Sequence, residues 1–358
     1  MTLITYPSRV HFADGVLEEA LRSELDAHGY GAPLILGEEG DTDTELSQRV
    51  YAGLPRRARP RHVPIMSRDT KYDTARTVTE LTRGKRPDVI LAYGSGRAIA
   101  YARKCRQMIH QADAEAGHNT APKDIFAIPG VDGLPNPCRS SFASGPAMVD
   151  VASRTGLPRI VICDPTVTDG SSVEEAAAAA VDALARSLEA YVSDAYNPPA
   201  DGMAIDGFAR AVRATKSAAL ADDPVYRREL MAAHLNATLA QQKGIGPTQL
   251  LSDALRAPHG DRLSGGALSR IILPAVLNTR QIPEDRSDAL RRLLESETTK
   301  SLNSDIEALF AYLPLPGRLS DLGLTHADIT QASRDVQDAI GDGAGAQSGA
   351  QTIMEAVF

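Results

Sequence analysis

As far as Pro165, short apolar runs alternate with stretches in which apolar residues recur at helical spacing. The runs APLILG (32–37), HVPIM (62–66), DVILAYGSG (88–96), DIFAIPG (124–130) and RIVICDP (159–165) predict strands. Between them, EEALRSELDAHG and DTARTVTELTRG predict amphipathic helices closed by Gly. Strands alternating with helices imply a parallel sheet. Beyond Pro165 strand-like runs nearly vanish. Ser171 and Glu174 predict a capping box before the Ala-rich helix SSVEEAAAAAVDALARSLEAY (171–191). Further helices are predicted over 201–220, 224–242, 248–256, 268–278, 285–295, 302–312 and 326–340. A Gly and Ala-rich connection, GDGAGAQSGAQT, then leads to a last short helix. The pattern predicts a Rossmann-like α/β nucleotide-binding domain over 1–164 and an all-α domain over 165–358.

Composition narrows the function classes. A chain of 358 residues is too long for one small core. The net charge of -8 argues against a nucleic-acid partner, whose phosphates require a basic face. No apolar stretch is long enough to span a bilayer, and MTLITYPSRVHFADG has no basic n-region before an apolar run. Cys105, Cys138 and Cys163 are few, odd in number and far apart. They form neither a disulfide framework nor a zinc motif, so a reduced cytoplasm is expected.

Three places carry candidate chemistry. In AYGSGRAIAYARKC, Gly94, Ser95 and Gly96 follow a strand and open a helix. Backbone N–H groups there can cradle a phosphate, with Arg97 adding a full positive charge. The plainer alternative is a tight turn that needs Gly for positive φ. Glu38 and Glu39 follow an early strand, where an acid often accepts hydrogen bonds from an adenosine ribose and repels a 2′-phosphate. The alternative is a solvated acidic loop. Asp182 and Arg186 are four apart on one helix face, where such a pair at the surface contributes about 0.2–0.5 kcal/mol.

The order of these pieces resembles the iron-containing (group III) alcohol dehydrogenases, whose fold is dehydroquinate synthase-like. VHFADG resembles that family's V-x-F-G-x-G entry, and DVILAYGSGRAIAYARK its A-V-G-G-G-S-x-x-D-x-A-K phosphate turn. ICDPTVT, AAVDALARSLEAYVS and YNPPADGMAIDGF resemble the D-P-x-L-T, G-M-D-A-L-x-H-x-I-E-x-Y and N-P-x-S-D-x-x-A stretches, in the same order. RRELMAAHLNATLA and IILPAVLNT fit later helices, so the resemblance covers nearly the whole chain. It implies a nicotinamide-dependent oxidoreductase acting on an alcohol or aldehyde, often a homo-oligomer, with the dinucleotide in a cleft between the domains. Gly94, Ser95 and Gly96 would meet the pyrophosphate. Glu38 falls where the family often has an Asp facing the ribose, which favours NAD, with NADP still possible.

The departures bear on mechanism. The family holds a divalent metal with one Asp and three His. Asp182 matches the Asp, but Arg186 replaces the first His, and in GIGPTQLLSDAL Gln249 and Asp253 stand where two His belong. The last His-Gly pair is His259-Gly260 in one register. Counting back from IILPAV instead gives Gly265-Gly266. A catalytic metal needs about three protein ligands, so none is expected here. In the phosphate turn Ala100 and Arg103 replace the family's Asp and Lys, and the threonine-rich second loop is reduced to PGVDGLPNP. Arg186 is then expected to replace the metal as a fixed cation oriented by Asp182, with His259 as general base or proton relay. His234, in an apolar helical stretch, reads as a core or cap residue. The expected partner is a small molecule or peptide, and a carboxylate on it would suit Arg186 and Arg139. One narrower reading is a dehydrogenase of a ribosomal-peptide pathway that oxidises a C-terminal threonine with decarboxylation. Another is a non-catalytic scaffold, which NAD affinity would distinguish.

Overall fold

The computed structural model describes residues 8–38, 44–65, 86–117, 121–134, 158–259, 262–295, 301–340 and 346–358. Glu39, the helix expected within DTARTVTELTRG, Cys138, Arg139 and Gly260 lie outside the described residues. No described helix is long and apolar enough to cross a membrane. Cys105 and Cys163 are buried free thiols.

The described residues within 8–134 and 158–169 form one unit and those within 170–358 another. The first is built on a parallel sheet of β1 (Arg9–Phe12), β2 (Pro33–Glu38), β3 (Arg61–Ile65), β4 (Val89–Gly94), β5 (Asp124–Pro129) and β6 (Ile160–Cys163). The strand order is β1-β6-β5-β4-β2-β3. Every residue of β4 is buried, as expected for a parallel strand covered on both faces, which explains its unbroken VILAYG run. β2 has β3 on one side and β4 on the other, so the order reverses between β2 and β4. β1 was not anticipated. Its four residues, RVHF, are half polar, and it pairs only with β6 at the sheet edge.

Helices α1 (Leu17–Ala27), α2 (Glu45–Ala52) and α3 (Gly96–Glu115) belong to this unit. Asp164 ties its parts together from the end of β6. The carboxylate is 0% exposed and accepts the N–H groups of Gly15 at 2.8 Å and Leu17 at 3.1 Å, at the start of α1. It also accepts Arg49 Nη2 of α2 at 2.7 Å and Thr166 Oγ1 at 2.6 Å. Burial alone would raise its pKa, but these hydrogen bonds hold it below the usual carboxylate range. The division between units falls after Asp169 rather than at Asp164, because Asp164 and the 3-10 turn Pro165–Thr168 remain with the sheet.

The second unit is helical: α4 (Val173–Tyr191), α5 (Pro198–Lys216), α6 (Pro224–Ala240), α7 (Pro247–His259), α8 (Gly265–Thr279), α9 (Glu284–Leu294), α10 (Leu302–Phe310), α11 (His326–Ile340) and α12 (Ala346–Ala356). The capping box before α4 is one residue later than the sequence predicts. Ser172 Oγ accepts Glu175 N at 3.2 Å, and Glu175 Oε2 accepts Ser172 N at 2.8 Å. α4 is apolar nearly all round and is the central element, with Val181, Leu184 and Leu188 in the core. Its alanines let neighbours approach closely: a side chain on Gly266 of α8 would collide with the Ala178 carbonyl.

Candidate functional site

Each unit holds one half of the candidate chemistry. In the first, β4 ends in Gly94 at φ +90°, a conformation L side chains rarely adopt. Ser95 then caps α3, its hydroxyl accepting Ala98 N at 3.3 Å. Gly130, just past β5, donates its N–H to the Gly94 carbonyl at 2.7 Å, and a Cβ there would stand 3.1 Å from the same oxygen. Gly37, in β2, has no room for a side chain because the Tyr93 ring covers it. β4 therefore ends in bare backbone and its neighbour β5 is followed by it. Glu38 closes β2 and Gly94 closes β4, so these two candidates flank the point where the strand order reverses. In open parallel sheets, that is where ligands bind. Glu38's side chain lies outside the described residues, whereas Arg97 is half-buried in the first turn of α3.

Sequence reasoning missed Asp132. Its Oδ2 accepts the Gly96 N–H at 3.0 Å, so a carboxylate already occupies the positive end of α3. The signal lay in PGVDGLPNP, where an acid sits between glycines in the loop after β5.

In the helical unit, Arg186 is not a surface partner of Asp182. It is 3% exposed. Its Nε and Nη2 donate to Gln241 Oε1 at 3.0 and 2.8 Å, Nη2 to Thr238 Oγ1 at 2.6 Å, and Nη1 to Asp182 Oδ2 at 3.3 Å. Its donors thus face protein acceptors, which favours a structural over a substrate-facing role. Thr238 and Gln241 were not anticipated, although His234, Thr238 and Gln241 form a polar stripe at spacings of four and three along an apolar helix. His234 is 1% exposed. Burial, reinforced by the Arg186 charge, pushes its pKa down to about 3, so the imidazole is neutral.

The two registers left open for position 259 or 265 separate here. His259 Nε2 lies 3.0 Å from Asp328 Oδ1 on α11, with Arg262 beside its other nitrogen. Its partners are these rather than Asp182. Gly265 instead faces Asp182: a Cβ there would stand 3.6 Å from Asp182 Oδ1 and 3.3 Å from Arg256 Nη1. Gln249 Nε2 donates to Asp253 Oδ1 at 3.2 Å. The start of α7 is set by buried Glu189, whose Oε1 accepts Thr248 N at 2.7 Å and whose pKa burial pushes up to about 7. A side chain on Gly246 would collide with that carboxylate.

Asp182, Arg186, Gln249 and Gly265 do not fit a divalent metal. They comprise a carboxylate, a cation, an amide and no side chain. Among the described residues, no group of three or more His, Cys, Asp and Glu could hold one.

No family model matches the chain. It is 27% identical to 4-hydroxybutyrate dehydrogenase from Cupriavidus necator, over 91% of this chain and 90% of that protein. It superposes on iron-containing alcohol dehydrogenase from Thermococcus thioreducens with a TM-score of 0.78 at 17% identity, covering 99% of this chain and 100% of that one. Sulfoacetaldehyde reductase from Bifidobacterium kashiwanohense, solved in complex with NAD+, gives a TM-score of 0.78 at 16% identity, over 100% and 99% of the two chains.

Proposed function

We propose that the chain is a member of the iron-containing alcohol dehydrogenase family and an NAD-dependent dehydrogenase that needs no metal ion. It oxidises a hydroxyl or reduces the corresponding carbonyl. The observation that carries this reading is the contrast between its two halves. Bare backbone at the sheet's switch point is kept, while two of the positions where the family has metal-binding His hold a cation, Arg186, and no side chain, Gly265.

Gly94, Ser95 and Gly96 are the residues to hold the pyrophosphate, through N–H groups at the α3 N-terminus. Glu38 is the residue to bind the adenosine ribose and to disfavour a 2′-phosphate. A nicotinamide held there would supply the hydride acceptor for the carbinol carbon, and the hydroxyl proton would pass to water. Arg186 is a positioning residue: held by Gln241 and Thr238, it fixes Asp182 Oδ2. The likeness to 4-hydroxybutyrate dehydrogenase supports a short hydroxy acid as substrate class.

The test is a calorimetric titration of metal-analysed protein with NAD+ and NADH, followed by 4-hydroxybutyrate turnover with and without chelator. Nucleotide binding with chelator-insensitive turnover is expected. Failure to bind either nucleotide would leave a scaffold on an inherited fold. Turnover restored only by added Fe2+ or Zn2+ would overturn metal independence.

A further inference from the structure

Building on the dehydrogenase reading above, we propose that Arg256 and Asp182 hold the substrate's hydroxyl oxygen between them, in the slot that the missing side chain of Gly265 leaves open. Arg256 donates to that oxygen and Asp182 accepts its O–H.

Two polar groups face one point. Arg256 Nη1 lies 3.3 Å, and its Cζ 3.9 Å, from the position a Cβ on Gly265 would take, and Asp182 Oδ1 lies 3.6 Å from it. No hydrogen bond or ion pair joins the two groups to each other. The carboxylate cannot readily turn away, because its other oxygen is held by Arg186 at 3.3 Å and Arg186 is itself held by Gln241 and Thr238. Asp182 retains some access to water, its side chain being 17% exposed.

Arg256 differs from Arg186. It is half-buried, its Nε is buried without an acceptor, and among the described residues it makes no hydrogen bond or ion pair. An N–H group removed from water without a partner is costly, so such a guanidinium is poised for an oxygen ligand. Gly265 also opens α8, whose first N–H groups have no carbonyl partner within the helix. Ser264 Oγ accepts only the N–H of Ala267, at 3.4 Å.

The chemistry of the pair selects the ligand. A hydroxyl supplies lone pairs to Arg256 and a proton to Asp182. An ether has no proton to give. A carboxylate or phosphate has none either, and would meet the charge of Asp182. A carbonyl accepts from Arg256 alone, as the product of oxidation would. The guanidinium and the α8 N-terminus also stabilise negative charge as it develops on that oxygen.

The test uses the full chain and 2,2,2-trifluoroethanol, an alcohol that resists oxidation, followed by 19F NMR titration with and without NAD+. Three proteins are compared: wild type, Arg256→Ala and Gly265→Ala. The second variant places a methyl group in the slot at a first-turn position where alanine favours the helix, so it is expected to fold. Each variant is expected to weaken trifluoroethanol binding at least tenfold with unchanged NAD+ affinity, and added guanidinium is expected to restore binding to Arg256→Ala alone. Equal binding by all three proteins, or none by wild type, overturns the proposal. If the variants lose trifluoroethanol while wild type fails to bind NAD+, the slot stands and the dehydrogenase reading falls.

Discussion

The Asp132 carboxylate accepts the Gly96 N–H at 3.0 Å, at the end of α3 where the pyrophosphate of a dinucleotide is proposed to bind. One anion must therefore leave for another to arrive. Asp132→Asn removes the competing charge and keeps the side chain's shape. A carboxylate at a helix N-terminus is stabilised by about 0.3–1 kcal/mol. The variant is therefore expected to bind NADH roughly two- to fivefold more tightly by calorimetry. Unchanged or weaker binding would show that Asp132 does not compete.

Gln241 accepts two donors from Arg186 in a buried setting. Gln241→Leu is expected to lower unfolding free energy by about 3 kcal/mol, because it strips a partner from a buried charge. Urea denaturation measures it, and a loss below about 1 kcal/mol, the range of an exposed ion pair, would contradict the buried network.

Glu189 and His234 pull the pH dependence of stability in opposite directions. Folded Glu189 keeps its proton to about 7, whereas the unfolded chain releases it near 4.5, so its contribution falls as pH rises through that window. Folded His234 refuses a proton down to about 3, whereas the unfolded chain takes one up near 6.5, so its contribution falls as pH drops below 6.5. Between pH 4.5 and 6.5 the two slopes oppose each other. Glu189→Gln is expected to expose the histidine's slope, with stability rising by about 1.4 kcal/mol per pH unit across that window relative to wild type. Parallel curves for the two proteins in chemical denaturation would count against the buried, protonated Glu189.

Asp164 bonds the starts of α1 and of the 3-10 turn to α2 through Arg49. Asp164→Ala is expected to destabilise the sheet unit by about 1–3 kcal/mol, since it leaves the buried Leu17 N–H without its acceptor, while Arg49 keeps Glu18 at 2.6 Å. Fast amide exchange at Gly15 and Leu17 is the local readout, and unaltered exchange there would refute the role.

The sequence made most of the fold legible because its strands are short apolar runs and its helices keep period and caps. β1 escaped because four half-polar residues on an edge carry neither signal. The glycine turn was legible for the same local reason, since Gly94 needs its positive φ wherever the chain goes next. The meeting of Asp182, Arg256 and Gly265 was not. It depends on α4, α7 and α8 converging, and a missing side chain leaves no mark except its absence. Arg186 was read on the right helix face beside Asp182, but not its hold by Thr238 and Gln241, because these come from another segment of the chain.

The packing around Arg186 also limits the routes by which the chain could change. A histidine at this position would be shorter than the guanidinium, so Gln241 and Thr238 would lose their shared donor and a gap would open between α4 and α6. Gly265, close against Arg256, could not become a ligand unless that arginine moved. A histidine at position 186 would thus damage the interior before any ion could compensate, and the present arrangement acts as a ratchet.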